Sequence, residues 1–163
     1  MCEVALHQFS LTVTRERQDD PSDVSVRKRA RRHIITAEGK PPILGSAATS
    51  FHGEIERWNP EELFLASLAQ CHLLSFLYVV ERDGLGEVEC TVSAEATLEV
   101  DPSGAGRITA VTLTPTTSAS GDVDAIHAAH DEAHTLCFIA NSVSCSVEVS
   151  PRVERASAPE TQG

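Results

Sequence analysis

Five cysteines, at positions 2, 71, 90, 137 and 145, are the residues best placed to do chemistry in this chain. A thiolate can act as a nucleophile, a redox centre or a metal ligand. Their number is odd and their spacing scattered, which makes a poor disulfide framework, and no CxxC pair suggests a structural zinc site. Cys90 and Cys145 fall in the apolar register of alternating stretches and are expected to be buried core thiols. Cys2 stands at the terminus and carries little information. Cys71, in SLAQCHLLSFLY (67–78), and Cys137, in AHTLCFIANSV (133–143), are different because each belongs to a helical stretch or its end. On pattern alone Cys71 still resembles core packing. Its neighbours three and four residues away are Ser67, Leu68, Leu74 and Ser75. None is a cation, so a reactive thiolate there needs support from elsewhere in the fold.

A second grouping competes for attention. His127, His130, His134 and Cys137 recur at spacings of three, four and three, which puts them on one helical stripe. Histidine and cysteine suit zinc and other transition metals. Four side chains along one straight helix nevertheless span about 15 Å and cannot converge on one ion. At most two adjacent members could chelate, so no metal site is assigned. The alternative is a helix face on which His134 orients the neighbourhood of Cys137, while His127 and His130 are surface or packing residues.

The elements that must position these residues can be read from the pattern. NPEEL (59–63) opens a helix: Asn59 is a good N-cap, Pro60 fits the first position, and Glu61 and Glu62 suit the positive end of the dipole. Glu62 stands three residues after the cap, as a capping box requires. The helix runs to about Val80, nearly apolar on all sides, and DGLG (83–86) ends it. Such a helix must be buried by the rest of the protein or by a partner chain.

Phe9, Leu11 and Val13 alternate as a half-buried strand, followed by a turn at QDDPSD (18–23). A second strand starts at Val24, passes through Val26 and RKRARRH, and resumes at Ile34–Ile35 before EGKPP (38–42) closes it. Val88, Cys90, Val92, Ala94, Ala96, Leu98 and Val100 lie on one face of a long strand. DPSGAG (101–106) turns it back into a strand beginning at Ile108–Leu113. A second helix is predicted from Gly121–Asp122 to about Cys137, and a last strand over Val143–Val149. The reading is one α+β domain over 1–150, with 151–163 a disordered tail that has little to bury.

WNPEELFLASLAQCHLLSFL (58–77), together with AHTLCFIANSV, resembles the family of osmotically induced protein C and organic hydroperoxide resistance protein (OsmC/Ohr). The resemblance covers about 31–149, and GKPPILGSA (39–47) is similar to the loop before the helix in one subgroup. It implies an OsmC-like fold, with strands packed around a long central helix and a second helix, in an intertwined homodimer. It also implies a thiol-dependent peroxidase that reduces organic hydroperoxides, with hydrogen peroxide as a second candidate oxidant. Cys71 would be the peroxidatic thiol and Cys137 the resolving one. Glu61 matches the glutamate that holds the family's arginine. Arg31, in RxH eight residues before Gly39, is the first choice for that arginine, Arg29 the second, and Arg27 and Arg32 are also present. The reductant would be an external dithiol, a lipoylated or thioredoxin-like protein, and no cofactor is required. Phe64, Leu68, Leu74 and Phe138 would give the site an apolar lining.

Ten residues at about 1.5 Å each separate Glu61 from Cys71 by about 15 Å along a straight helix. Either the helix breaks between them, or the Glu–Arg pair reaches the thiol from a second subunit.

The net charge of −11 argues against general nucleic-acid binding, and the basic run at 27–32 is taken as a solvated strand face with one arginine turned inward. No secretory signal is recognisable, and no run approaches about 18 consecutive apolar residues, so a cytoplasmic protein without membrane attachment is expected. Two rivals remain: a non-catalytic, stress-associated ligand-binding dimer, and a metal-binding protein using the second helix.

Overall fold

The structure, a computed structural model, describes residues 5–16 and 31–156. The expected turn at 18–23, the strand start at Val24–Val26, Cys2, Arg27, Arg29 and residues 157–163 lie outside the described residues. The chain divides into two compact units, Met1–Leu63 and Phe64–Gly163.

The first unit is a three-stranded antiparallel sheet in the order β1 (Thr12–Arg15), β2 (His33–Thr36) and β3 (Ile43–Gly45). The third strand lies in a stretch that the sequence suggested to be loop. Gly39 at φ 72° turns the chain back, and Ile35 then pairs with Ile43 and His33 with Gly45. Gly45 leaves room for the His33 ring, which occupies the space a β-carbon would need and would have to move aside for any other residue. Of the alternating Phe9, Leu11 and Val13, only Val13 lies in a strand. All three are exposed rather than half-buried, Phe9 at 96%.

The second unit is built on a four-stranded sheet. β4 (Val88–Val100) and β5 (Gly106–Ala119) form a long hairpin, closed by Asp101, whose carboxylate accepts from the Ser103 and Ala105 amides. Alternation along β4 holds as far as Ala94; beyond it Ala96, Leu98 and Val100 are exposed. β6 (Ser146–Val149) and β7 (Arg152–Arg155) both pair parallel to the other edge of β5. The expected disordered tail is therefore corrected over Arg152–Arg155: Val153 packs against the core, and its strand finds an open edge. Pro115, in the middle of β5, cannot donate to a ladder. It falls opposite the break between β6, which pairs as far as Leu113, and β7, which pairs from Thr116.

Helix α1 spans Pro60–Asp83 without interruption. Its capping box is formed: Asn59 Oδ1 accepts from the Glu62 amide at 2.8 Å, and Glu62 Oε2 accepts from the Asn59 amide at 3.2 Å. Gly84, at φ 62°, ends it, with the Leu85 amide donating back to the Val80 carbonyl at 3.0 Å. Leu68, His72, Phe76 and Val79, spaced four, four and three apart, are buried on one face, with Val80 beside them. Leu74, Leu77 and Tyr78 on other faces are exposed. By length and composition alone α1 could cross a membrane, contrary to the expectation from unbroken apolar runs, which Ser67, Gln70, His72 and Ser75 interrupt. Its buried face nonetheless belongs to the core of the second unit.

Helix α2 (Val123–Leu136) starts where expected, with the Asp122 carboxylate capping the Asp124 amide, and Cys137 is its C-cap. Phe76, Val79 and Val80 of α1 meet Ile126, Ala129 and Ala133 of α2 and Ala119 of β5 in one core cluster; Leu68 meets Val111 and Leu113 in another.

Candidate functional site: a thiol pair between two helices

Cys71, midway along α1, and Cys137, at the end of α2, are brought together. Cys137 is fully buried, and its thiol is close enough to Cys71 for that neighbour to influence its titration. Cys71 is half-buried, and both cysteines are reduced. Burial pushes the Cys137 thiol up to about 11, and the neighbouring Cys71 thiol pushes the same way, against the Ala140 and Ile139 amides. Cys137 therefore keeps its proton at neutral pH.

After α2 the chain passes through Phe138 and Ile139 into a single 3-10 turn, Ala140–Ser142. This turn aims two backbone N–H groups at the sulfurs. The Ile139 amide donates to Cys71 Sγ at 3.5 Å, and the Ala140 amide to Cys137 Sγ at 3.4 Å. Asn141 ties the turn down, its side-chain amide donating to the Thr135 carbonyl at 2.9 Å. The support that α1 cannot give Cys71 thus comes from main chain 68 residues further on. Sequence reasoning missed it because a backbone amide has no residue type.

Glu61 and Arg31 are not joined. Glu61 Oε2 is buried without a hydrogen-bond partner. Arg31 lies in an exposed turn before β2, and among the described residues no ion pair holds its side chain. Its neighbour Arg32 bonds Glu54 at 2.7 Å, and Arg57 bonds Glu16 at 2.5 Å. Because α1 is unbroken, a kink cannot carry Glu61 to Cys71. Of the expected apolar lining, Leu68 is buried in the core and faces no substrate, Phe64 is half-buried, and Leu74 and Phe138 are exposed at 63% and 80%.

The histidine stripe has a different use from the one its spacing suggested. His130 is fully buried, neither a surface residue nor simple packing. It stacks on Phe76 at 3.8 Å between ring centres, and its Nδ1 meets His72 Nε2 at 3.2 Å. Its Nε2 meets the Thr117 hydroxyl at 2.9 Å, and that hydroxyl reaches Cys90 Sγ at 3.3 Å. Cys90 and Cys145 are half-buried rather than buried, and burial raises the Cys90 thiol despite the Thr117 bond. His72 was missed in the sequence. The available signal was a histidine midway between Leu68 and Phe76 at four-residue spacing. His72 and His130 are both lowered to about 4, by burial first and by neighbouring histidines second. Among the described residues no group of three or more His, Cys, Asp or Glu side chains is placed to hold a metal ion.

Known proteins place this arrangement in a family. The family model for OsmC-like proteins matches residues 51–152, more than half of the chain, and the chain belongs to that family. Comparison with curated protein sequences gives no match. Among solved structures, an OsmC-like protein of unknown function from Vibrio cholerae is 29% identical with a TM-score of 0.78, over 90% of this chain and 99% of that one. An organic hydroperoxide resistance protein from Elizabethkingia anophelis is 17% identical with a TM-score of 0.66, over 91% and 98%. The organic hydroperoxide resistance protein OhrB of Bacillus subtilis is 21% identical with a TM-score of 0.60, over 90% and 98%. The two hydroperoxide resistance proteins share the fold.

Proposed function

We propose that this protein is a thiol peroxidase that reduces organic hydroperoxides to alcohols, with Cys71 as nucleophile and Cys137 as resolving thiol. The observation that carries the reading is one short turn that aims a backbone amide at each of the two sulfurs and so sets the thiols side by side. The Cys71 thiolate attacks the distal oxygen of the hydroperoxide. An S–O bond forms, the O–O bond breaks, and the alkoxide leaves, taking up a proton to become the alcohol. Cys71 is then a sulfenic acid. The Cys137 sulfur attacks Cys71, a disulfide forms, and hydroxide departs as water with the proton that Cys137 gives up. Two thiols of an external dithiol, a lipoylated or thioredoxin-like protein, reduce the disulfide and are themselves oxidised.

Two features support a second copy of the chain in the working enzyme. The uncovered Leu74, Leu77 and Tyr78 on α1 call for an apolar partner, and the orphaned Glu61 oxygen calls for a cation. In a homodimer, Glu61 of one subunit and the arginine it holds, Arg31 in first place, would stabilise the thiolate of the other. Exposed Phe138 and Leu74 favour an apolar peroxide over hydrogen peroxide.

Hydroperoxide consumption with excess dithiol, measured beside mass by light scattering, tests the whole reading. A dimer that consumes cumene hydroperoxide faster than hydrogen peroxide is expected. A fully active monomer would sink the shared site, and faster turnover of hydrogen peroxide would sink the substrate preference.

A further inference from the structure

The hydrogen-bonded series His72, His130, Thr117 and Cys90 runs through the core of the second unit and joins the two helices that carry the thiol pair to two strands of the sheet. His72 follows Cys71 on α1. His130 stands seven residues, two helical turns, before Cys137 on α2. Thr117 is on β5 and Cys90 on β4. The contacts are 3.2, 2.9 and 3.3 Å, and three of the four residues are fully buried. Around them the packing is aliphatic or aromatic, which fixes how close two helices come but resists sliding only weakly. A directional bond between buried polar groups resists sliding, because a misplaced helix leaves both partners unpaired.

We propose that His72, His130 and Thr117 are positioning residues for the resolving step: the two bonds that join them hold α1 and α2 against β5 in the register that lets the Cys137 sulfur reach Cys71. This rests on the peroxidase reading above and adds to it. Two neighbouring thiols must close to about 2.05 Å to form a disulfide, so the second step is far more sensitive to register than the first. Attack on the hydroperoxide needs only Cys71 and a mobile substrate.

The proton count makes the strut conditional. The Thr117 hydroxyl has one hydrogen. Donated to Cys90, it leaves the oxygen to accept from His130 Nε2–H, so His130 Nδ1 accepts from His72 Nε2–H. Each of the three bonds has a donor and an acceptor while both imidazoles are neutral, and His72 Nδ1 is left buried without a partner. A proton on His130 keeps the His72 bond only if His72 takes its other tautomer, which puts a hydrogen on that buried, unpartnered Nδ1. The groups facing the pair are Cys90 and Thr117 from the sheet and His127 and His134 from α2. No carboxylate is among the groups that shift either ring, so burial keeps both neutral through the physiological range.

The test uses the full-length reduced protein and two oxidants. Diamide drives the Cys71–Cys137 disulfide without any peroxidase activity, oxidising the two thiols as it becomes the hydrazine. Cumene hydroperoxide drives the complete reaction, with sulfenic acid trapped by dimedone and sulfinic acid counted by mass spectrometry. Thr117→Val keeps the shape and removes the hydroxyl, His130→Phe keeps the stack on Phe76 and removes both bonds, and Thr117→Ser restores the hydroxyl. In both breaking variants disulfide formation is expected to slow about tenfold while sulfenic acid forms within about twofold of wild type, as a misplacement of a fraction of an ångström implies. Sulfinic acid should rise, and Thr117→Ser should behave as wild type. A folded Thr117→Val protein with the wild-type disulfide rate overturns the proposal, as does an equal slowing of both steps. If His130→Phe does not fold, Thr117→Val decides alone. Failure of wild type to consume hydroperoxide would defeat the peroxidase reading, while the diamide rates would still report on register.

Discussion

Cys71 and Cys90 are two half-buried thiols in the same compact unit, and each accepts a hydrogen bond. Cys71 takes its bond from the Ile139 amide at 3.5 Å, Cys90 from the Thr117 hydroxyl at 3.3 Å. The difference lies in what stands behind the donor. Beside the Ile139 amide stands a second thiol, buried and protonated, so an oxidised Cys71 has a neighbour with which to condense. Behind Thr117 is a closed series of neutral imidazoles, and burial disfavours the Cys90 thiolate. A thiol becomes a redox centre through the company of another thiol, and exposure and donor count alone do not distinguish these two.

The largest expected effect breaks the comparison at its root. Cys71→Ser should abolish hydroperoxide consumption, and Cys90→Ser should leave it within about twofold of wild type, since Cys90 faces no second sulfur. Turnover assays under excess dithiol decide it, and a Cys71→Ser enzyme at wild-type rate would mean that the thiol pair is not the catalyst. Cys137→Ser comes next. It should still form the sulfenic acid on Cys71 but not resolve it, so intact-mass spectra after repeated peroxide exposure should show sulfinic and sulfonic adducts on Cys71 that wild type avoids.

Ile139→Pro isolates the donor. Ile139 has φ −70°, which proline adopts without strain, so the substitution removes the N–H and leaves the sulfur in place. Loss of one hydrogen bond to a charged group costs about 1.5–3 kcal/mol, so sulfenic acid formation should slow at least about tenfold. Stopped-flow traces with cumene hydroperoxide measure it, with Thr117→Val, which removes the Cys90 donor, as the control that should not slow this step. An unchanged rate in Ile139→Pro would show that the amide lends the thiolate nothing.

Much of this site was legible because its parts are local. The Asn59–Glu62 capping box, the Asp122 cap and the Gly84 stop are each written within four residues. They place Cys71 on one helix and Cys137 at the end of another. Family resemblance paired the two. The rest depends on what the elements meet. β3 and β7 are strands of three and four residues whose stability comes from an edge supplied elsewhere, an edge invisible in GKPPILG or PRVER. His130 looked like part of a metal-binding stripe, but its partners come from α1 and β5, 58 and 13 residues away. Leu68 looked like substrate lining because α1 is apolar all round, and periodicity cannot say which apolar face the core takes.

The histidine pair also sets a pH dependence. Both folded values lie at about 4, below the ordinary value of 6.5, so between these limits the unfolded chain binds more protons than the folded one. Their contribution to stability is complete above about pH 6.5 and is lost as pH falls towards 4. Thermal melting followed by circular dichroism should show a midpoint on the order of 5–10 °C lower at pH 4.5 than at pH 7. His130→Phe, if folded, should flatten that slope. A wild-type midpoint that rises on acidification would contradict neutral, buried imidazoles.

Cys90→Ala should give the smallest effect, and it sharpens the contrast from the other side. It removes the acceptor at the end of the series, but the Thr117 hydroxyl can turn and donate to His130 Nε2 instead. His130 would then donate from Nδ1 to His72 Nε2, and the His72–His130 bond survives with its protons reversed. The cost is one weak hydrogen bond and a half-buried sulfur, about 1–2 kcal/mol by urea denaturation, with the disulfide rate unchanged. A larger loss, or slower resolution, would mean that Cys90 orders the histidines rather than merely ending their chain. On the proposed mechanism Cys71 is irreplaceable because its neighbour condenses with it, and Cys90 is expendable because its neighbour has another bond to make.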